Sequence, residues 1–197
     1  MRFSLGLTGS IGMGKSTTAK IFAELGCKIW DADAAVHRLY SLGGAAVGPI
    51  GDAFPTAIKN GAVDRGILKD LILNDKSVLD QIESIVHPLV QADRQAFRSS
   101  IKTGILVFDI PLLFETGSDT EMDAVACVYV DPKTQQGRVL ARGTMSASQF
   151  DQILSKQLPI DEKLRKSDYK IETDSLPHAR DQVSAVLDDI RRRMGHA

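Results

Sequence analysis

Gly9-Ser10-Ile11-Gly12-Met13-Gly14-Lys15-Ser16 fits the pattern G-x-x-x-x-G-K-[ST], with a mostly apolar stretch over 3–7 before it and an apolar-periodic segment from Lys15 after it. Strand, glycine loop and helix start is the context in which this pattern becomes a phosphate cradle. Backbone N–H groups of the loop and unpaired amides at the helix start converge on an anion. Lys15 would reach the β- and γ-phosphates of a nucleoside triphosphate, and the Ser16 hydroxyl would ligate Mg²⁺. Glycines suit a loop that curls through positive φ, where a Cβ is penalised. The residues expected to contact nucleotide are Gly9, Ile11, Gly12, Met13, Gly14, Lys15, Ser16 and Thr17. The motif leaves the Met13 side chain unspecified, with no evident packing partner. The alternative, a chance glycine turn, does not explain the Lys-Ser pair placed after a strand.

The 197 residues suffice for one domain with its own core. Apolar content of 43% and charged content of 25% are ordinary for a globular protein. A net charge of −1 gives no bulk attraction to nucleic acid or a membrane surface. Cys27 and Cys127 cannot build a disulfide framework, show no metal-site spacing, and sit in or beside apolar runs as buried, inert thiols. No run approaches the length of a membrane span, and the N-terminal apolar stretch is broken at once by glycines. A cytoplasmic enzyme is expected, with a monomer favoured and oligomers left open.

Short apolar runs alternate with helical patterns, which predicts an α/β fold with a parallel sheet wrapped by helices. Ala19, Ile21, Phe22 and Leu25 form a helix face ended by Gly26 at C′. A strand over 28–30 leads to Asp31-Ala32-Asp33 and a helix carrying Val36, Leu39 and Tyr40. From 41 to 61 the chain is rich in Gly and Pro and reads as loop with short helical pieces. Asp64 caps a helix bearing Ile67, Leu68, Leu71 and Ile72. A further helix from about Lys76 is expected to break at His87-Pro88, with Pro88 opening a new helix toward Lys102. Strands follow over 105–108, ending at Asp109, and over 124–130, then polar helices over 133–158, a strand over 169–171 and a closing amphipathic helix.

Five parallel strands result. Ligands in such sheets lie beyond the carboxyl ends of the strands, a rule that gathers the loop, Asp31, Asp33 and Asp109 at one rim. The expected organisation is a single domain whose core comprises residues 1–33, 104–132 and 159–197. Residues 34–103 form a helical substrate-covering insertion and 133–158 an arginine-bearing lid.

No N-K-x-D guanine signature occurs, and the chain is short for a motor, which leaves small-molecule kinases. Asp31-Ala32-Asp33 with His37, His87-Pro88-Leu89-Val90, and Pro111-Leu112-Leu113-Phe114-Glu115 are more specific than the glycine loop. Gln135 with Arg138 and Arg142, Gln157-Leu158-Pro159 with Lys163, and Asp168-Tyr169 complete the set. In this order and over most of the chain, they resemble the dephospho-CoA kinase family. The resemblance implies a three-layer P-loop kinase fold, ATP and Mg²⁺ as cofactors, and phosphorylation of the ribose 3′-hydroxyl of dephospho-CoA, a small-molecule partner.

Phosphoryl transfer to an alcohol needs positioned groups and neutralised charge more than covalent chemistry. Asp33, just past a strand end, is the candidate base for the acceptor hydroxyl, and the resemblance implies the same role. Either Asp31 or Asp33 could instead cap the helix. Asp109 ends an apolar strand and, with Ser16, is a candidate metal ligand; a turn aspartate before Pro111 is the competing reading. Arg138 and Arg142, four apart, could reach the phosphates from the lid, with Arg142 packing on adenine, or could be ordinary solvated charge. His87 reads as structural. Glu115 and Phe114 line the substrate pocket or serve the core. Two departures from the family pattern stand out. Ile153 replaces an arginine four residues before Gln157, and Thr173 stands where relatives often have asparagine.

Overall fold

The computed structural model describes residues 1–195. In chain order the elements are β1 (Arg2–Thr8), α1 (Lys15–Glu24), β2 (Lys28–Asp31), α2 (Ala32–Tyr40), α3 (Val47–Ala53), β3 (Ile58–Lys59), β4 (Ala62–Val63), α4 (Arg65–Asn74) and α5 (Ser77–Ser100). Then come β5 (Gly104–Asp109), β6 (Ala124–Tyr129), α6 (Pro132–Ala141), α7 (Ala147–Leu154), α8 (Ile160–Lys166), β7 (Tyr169–Glu172) and α9 (Leu176–Gly195). The chain divides into two compact units, Met1–Trp30 with the chain from Ile101 onward, and Asp31–Ser100.

The first unit is built on a five-stranded parallel sheet ordered β2-β5-β1-β6-β7, as the alternating pattern predicts. Strands covered on both faces need continuous apolar runs, and β5 and β6 supply them. Leu5, Leu7, Phe22, Val107, Val128, Ile171, Val183, Leu187 and Ile190 form its main core and are each almost wholly excluded from solvent. Met13 belongs to that core at 2% exposure, so its side chain has the packing partner that the motif did not suggest. On the sheet, Trp30 and Phe108 rings pack at 6.1 Å, tilted by 49°. Asp168 grips the amino edge twice: its amide donates to Val125 O at 2.9 Å, and its Oδ2 accepts the Val125 N–H at 2.8 Å. The helix ends obey local chemistry. Gly26 N–H bonds Ala23 O and Cys27 N–H bonds Phe22 O, both at 3.0 Å, closing α1 in a Schellman motif at the expected glycine.

The second unit is helical, with its own apolar core of Leu39, Ile50, Leu68, Val78, Ile82 and Val86. Asp64 caps α4 as expected, accepting from Gly66 N and Ile67 N. Two features differ from expectation. The break at His87-Pro88 does not occur, because α5 runs through Pro88 from Ser77 to Ser100. Proline forfeits one backbone hydrogen bond, but Ile82 and Val86 before Pro88 and Leu89 and Val90 after it pack against one apolar core, contacts that a broken helix would lose. Within the stretch read as loop, β3 and β4 form a small antiparallel hairpin. Asn60 (φ 52) and Gly61 (φ 75) make its two-residue turn, both left-handed, and Asn-Gly is the strongest short hairpin signal. That signal stands among many glycines and prolines, which together read as loop.

Candidate active site

The first unit places its chemistry at the carboxyl edge of the sheet. Residues 9–14 leave β1 and enter α1, Asp109 closes β5, and Thr173 follows β7. A Cβ at Gly9 would fall 2.4 Å from Val128 Cγ2 and 2.8 Å from Val128 O, so only glycine lets the loop start against β6. Gly14 (φ 86) is the left-handed residue that precedes α1.

The first helical hydrogen bond of α1 is Thr18 N–H to Gly14 O, at 3.0 Å. The amides of Gly14, Lys15, Ser16 and Thr17 are therefore the orphan donors every helix start leaves. They have no backbone acceptor among the described residues, and neither has Gly12 N–H. Two loop members expected to contact nucleotide spend their amides within the protein. Ile11 N–H donates to Gln157 Oε1 at 3.2 Å and Met13 N–H to Ser10 O at 3.2 Å.

Lys15 and Asp109 form an ion pair, with Asp109 at 2% exposure. A carboxylate so buried needs a cation or several donors beside it. Lys163, wholly buried, ion-pairs Glu115 at 2.8 Å and donates to Pro111 O at 3.1 Å. Thr8 Oγ1 donates to the same carbonyl, also at 3.1 Å. Glu115 Oε1 further accepts Leu158 N–H at 2.8 Å. Burial works to raise the Glu115 pKa, but its hydrogen bonds with Lys163 and Leu158 outweigh that and hold it below the usual carboxylate range. Glu115 braces the loop after β5 through Lys163 and Leu158, and Phe114 is buried.

Arg138 donates to Thr173 Oγ1 at 3.1 Å and to Thr173 O at 2.6 Å. Thr173 Oγ1 in turn donates to Met13 O at 2.9 Å. Gln135, buried in α6, donates to Ile11 O at 2.7 Å. Arg142 lies just past α6 as its C-cap and is exposed. A cleft of about 280 Å³ has Gly12, Gly14, Thr17, Arg138, Arg142 and Asp174 among its lining residues. Gln135, Gln157, Thr173 and Lys163 were not foreseen as partners of the loop. Gln135 and Lys163 lie on helices that read as polar, and Gln157 and Thr173 lie just beyond element ends, with no local sign of the partners these side chains meet.

In the second unit, Asp31 Oδ1 accepts Ala34 N–H at 2.8 Å and is the N-cap of α2. Of the two aspartates, Asp31 takes the capping role. Asp33 sits exposed in the first turn of α2, with no hydrogen-bond or ion-pair partner among the described residues. His87 is exposed on α5. Cys27 and Cys127 are buried, and burial pushes each thiol up to about 11, which keeps both protonated and inert. No helix among the described residues is long and apolar enough to cross a membrane.

The family model described as dephospho-CoA kinase matches residues 3–178, nearly the whole chain. The chain belongs to the dephospho-CoA kinase family. Members of this family carry out ATP-dependent phosphorylation of dephospho-CoA, the last step of CoA biosynthesis. The chain is 59% identical over 197 residues to the dephospho-CoA kinase of Ruegeria pomeroyi, covering 100% of both proteins. It is 54% identical over 189 residues to that of Cereibacter sphaeroides, covering 96% of each. Among solved structures, the dephospho-CoA kinase of Campylobacter jejuni superposes with a TM-score of 0.70 at 28% identity, covering 96% of this chain and 98% of that one.

Proposed function

We propose that this chain transfers the γ-phosphoryl group of ATP to the ribose 3′-hydroxyl of dephospho-CoA, giving CoA and ADP. The observation that carries the nucleotide half is the row of unspent amides at Gly12 and from Gly14 to Thr17, beside the Lys15–Asp109 pair. Converging N–H donors and a mobile ammonium neutralise the charge that spreads over the transferred group. Arg138 and Arg142, lining the cleft next to these amides, add positive charge there. Ser16 and Asp109 offer an all-oxygen donor set that suits a hard divalent cation. Mg²⁺ held there would neutralise charge on the β- and γ-phosphates. Residues 133–158 would act as a lid and 34–103 as the acceptor-side insertion of one functional domain. A cytoplasmic, monomeric enzyme without a nucleic-acid or membrane partner belongs to the same proposal. It is supported by the family and by the near-zero net charge.

Asp33 is proposed as the base that accepts the hydroxyl proton. Asp31 does the capping, which leaves the Asp33 carboxylate available. Steady-state ADP release should require both Mg²⁺ and dephospho-CoA. Equal rates with adenosine, shikimate or a nucleoside monophosphate would assign a different acceptor. Asp33→Asn should keep ATP binding and lower turnover by ~10²-fold or more, the usual size of a lost general base. Unchanged turnover would remove Asp33 from the mechanism.

A further inference from the structure

A planar trans peptide points its C=O and its N–H in opposite directions. Whatever holds a loop carbonyl from behind therefore aims the next residue's amide forward. The loop here has two such grips. Gln135 Nε2 donates to Ile11 O at 2.7 Å, and Ile11 O shares its peptide plane with the Gly12 amide. Thr173 Oγ1 donates to Met13 O at 2.9 Å, and Met13 O shares its plane with the Gly14 amide. The N–H groups of Gly12 and Gly14 have no backbone acceptor among the described residues. Both grips are close-packed: a Cβ at Gly12 would meet Val139 Cγ2 at 2.4 Å and Gln135 O at 3.1 Å, and one at Gly14 would meet Thr173 Oγ1 at 3.0 Å.

We propose that Gln135 and Thr173 are positioning residues that turn the Gly12 and Gly14 amides toward the phosphates of a bound nucleotide, with Arg138 acting on the loop through Thr173. This rests on the nucleotide half of the proposed function. Free glycines rotate their peptide planes readily, and an amide that must reorient on binding weakens the complex. Arg138 has only donors, so its 3.1 Å contact fills a lone pair of Thr173 Oγ1 and leaves the hydroxyl proton to donate onward. Met13 O at 2.9 Å is a nearer acceptor than Tyr129 O at 3.3 Å. The charged guanidinium thus sets the direction of the hydroxyl, and the hydroxyl sets the peptide plane. One donor and one acceptor suffice for this task, and the threonine hydroxyl supplies both.

The test measures ADP affinity by calorimetry on the full chain, with kcat and both KM values alongside. ADP needs no acceptor and lacks the γ-phosphate, so it isolates the loop amides from acceptor chemistry and from any contact of Arg138 with the transferred group. Thr173→Val and Gln135→Met should each weaken ADP by about 3- to 10-fold, the worth of one neutral hydrogen bond, with KM for dephospho-CoA unchanged. Thr173→Ser, which keeps the hydroxyl, should restore native affinity. If Thr173→Val does not fold, Gln135→Met carries the same arm from a different helix. Arg138→Ala should cost ADP affinity several-fold less in the Thr173→Val background than in the native protein, where it removes both its charge and its hold on the Thr173 hydroxyl. Native-like ADP affinity in both single variants, failure of serine to rescue, or independent multiplying losses for Arg138 and Thr173 would each overturn the inference. A native protein that binds no ADP would instead overturn the reading beneath it. Turnover with another acceptor would overturn only the dephospho-CoA assignment.

Discussion

The two compact units treat polar groups differently. The sheet unit buries Ser4, Thr8, Ser10, Thr18, Asp109, Gln135, Lys163 and Thr173, and all but Ser4 and Ser10 have side-chain partners in hydrogen bonds or ion pairs that converge on the nucleotide loop, the strand ends and the loop after β5. In the helical unit the only buried charged or polar side chain among the described residues is Arg94, while Leu42 and Leu73 are more than 70% exposed. A buried polar group is costly unless paired, so such a concentration marks where geometry is held tightly. The nucleotide end is pre-organised by long-range polar contacts. The helical unit rests on ordinary apolar packing and keeps Asp33, the proposed base, at the surface.

On that contrast, changes to the buried polar groups of the sheet unit should carry large costs, in chemistry or in stability, and changes to the apolar core of the helical unit only small ones in stability. The largest effect is expected from Lys15→Met, which should lower kcat/KM by ~10³-fold, the scale of losing a charge-stabilising donor at the transition state. Retained activity above a tenth of native would break the comparison at its centre. Lys163→Met should come next, destabilising the fold by about 3 kcal/mol, because it strands a partly buried carboxylate. Urea unfolding at neutral pH measures it.

That loss should depend on pH in a set direction. The Glu115 pKa is held down in the native state, so the unfolded chain binds more protons there and stability falls as pH drops through the lowered range. The gap between native protein and Lys163→Met should therefore narrow on acidification; a constant gap would remove the ion pair as its cause. The smallest effect should come from Ile50→Val in the helical core. One methylene lost from a wholly buried site costs about 1 kcal/mol, and ADP affinity should stay native. A shift in ADP affinity there would show the two units to be coupled.

Much of the architecture was readable from spacing because it is local. Five strands, Gly26 closing α1 and Asp64 capping α4 follow from patterns within a few residues of each feature. Pro88 departs from its local rule because apolar contacts on both sides of it outweigh a single lost hydrogen bond. Asn60-Gly61 was equally local, and its hairpin was hidden by the glycines and prolines around it.

By itself the sequence determined the nucleotide motif, the α/β alternation and the family, all carried by short-range residue order. Only the tertiary structure decided what holds the loop. Its partners Gln135, Gln157 and Thr173 lie 124, 146 and 160 residues from the positions they bond, and nothing in a local pattern marks a glutamine on a polar helix as buried. The same holds for Lys163, whose charge becomes structural only because folding removes it from water beside Glu115. Periodicity reports which face of an element is apolar. It does not report which distant polar atom a fold brings to a given carbonyl, and in this protein those pairings shape the site.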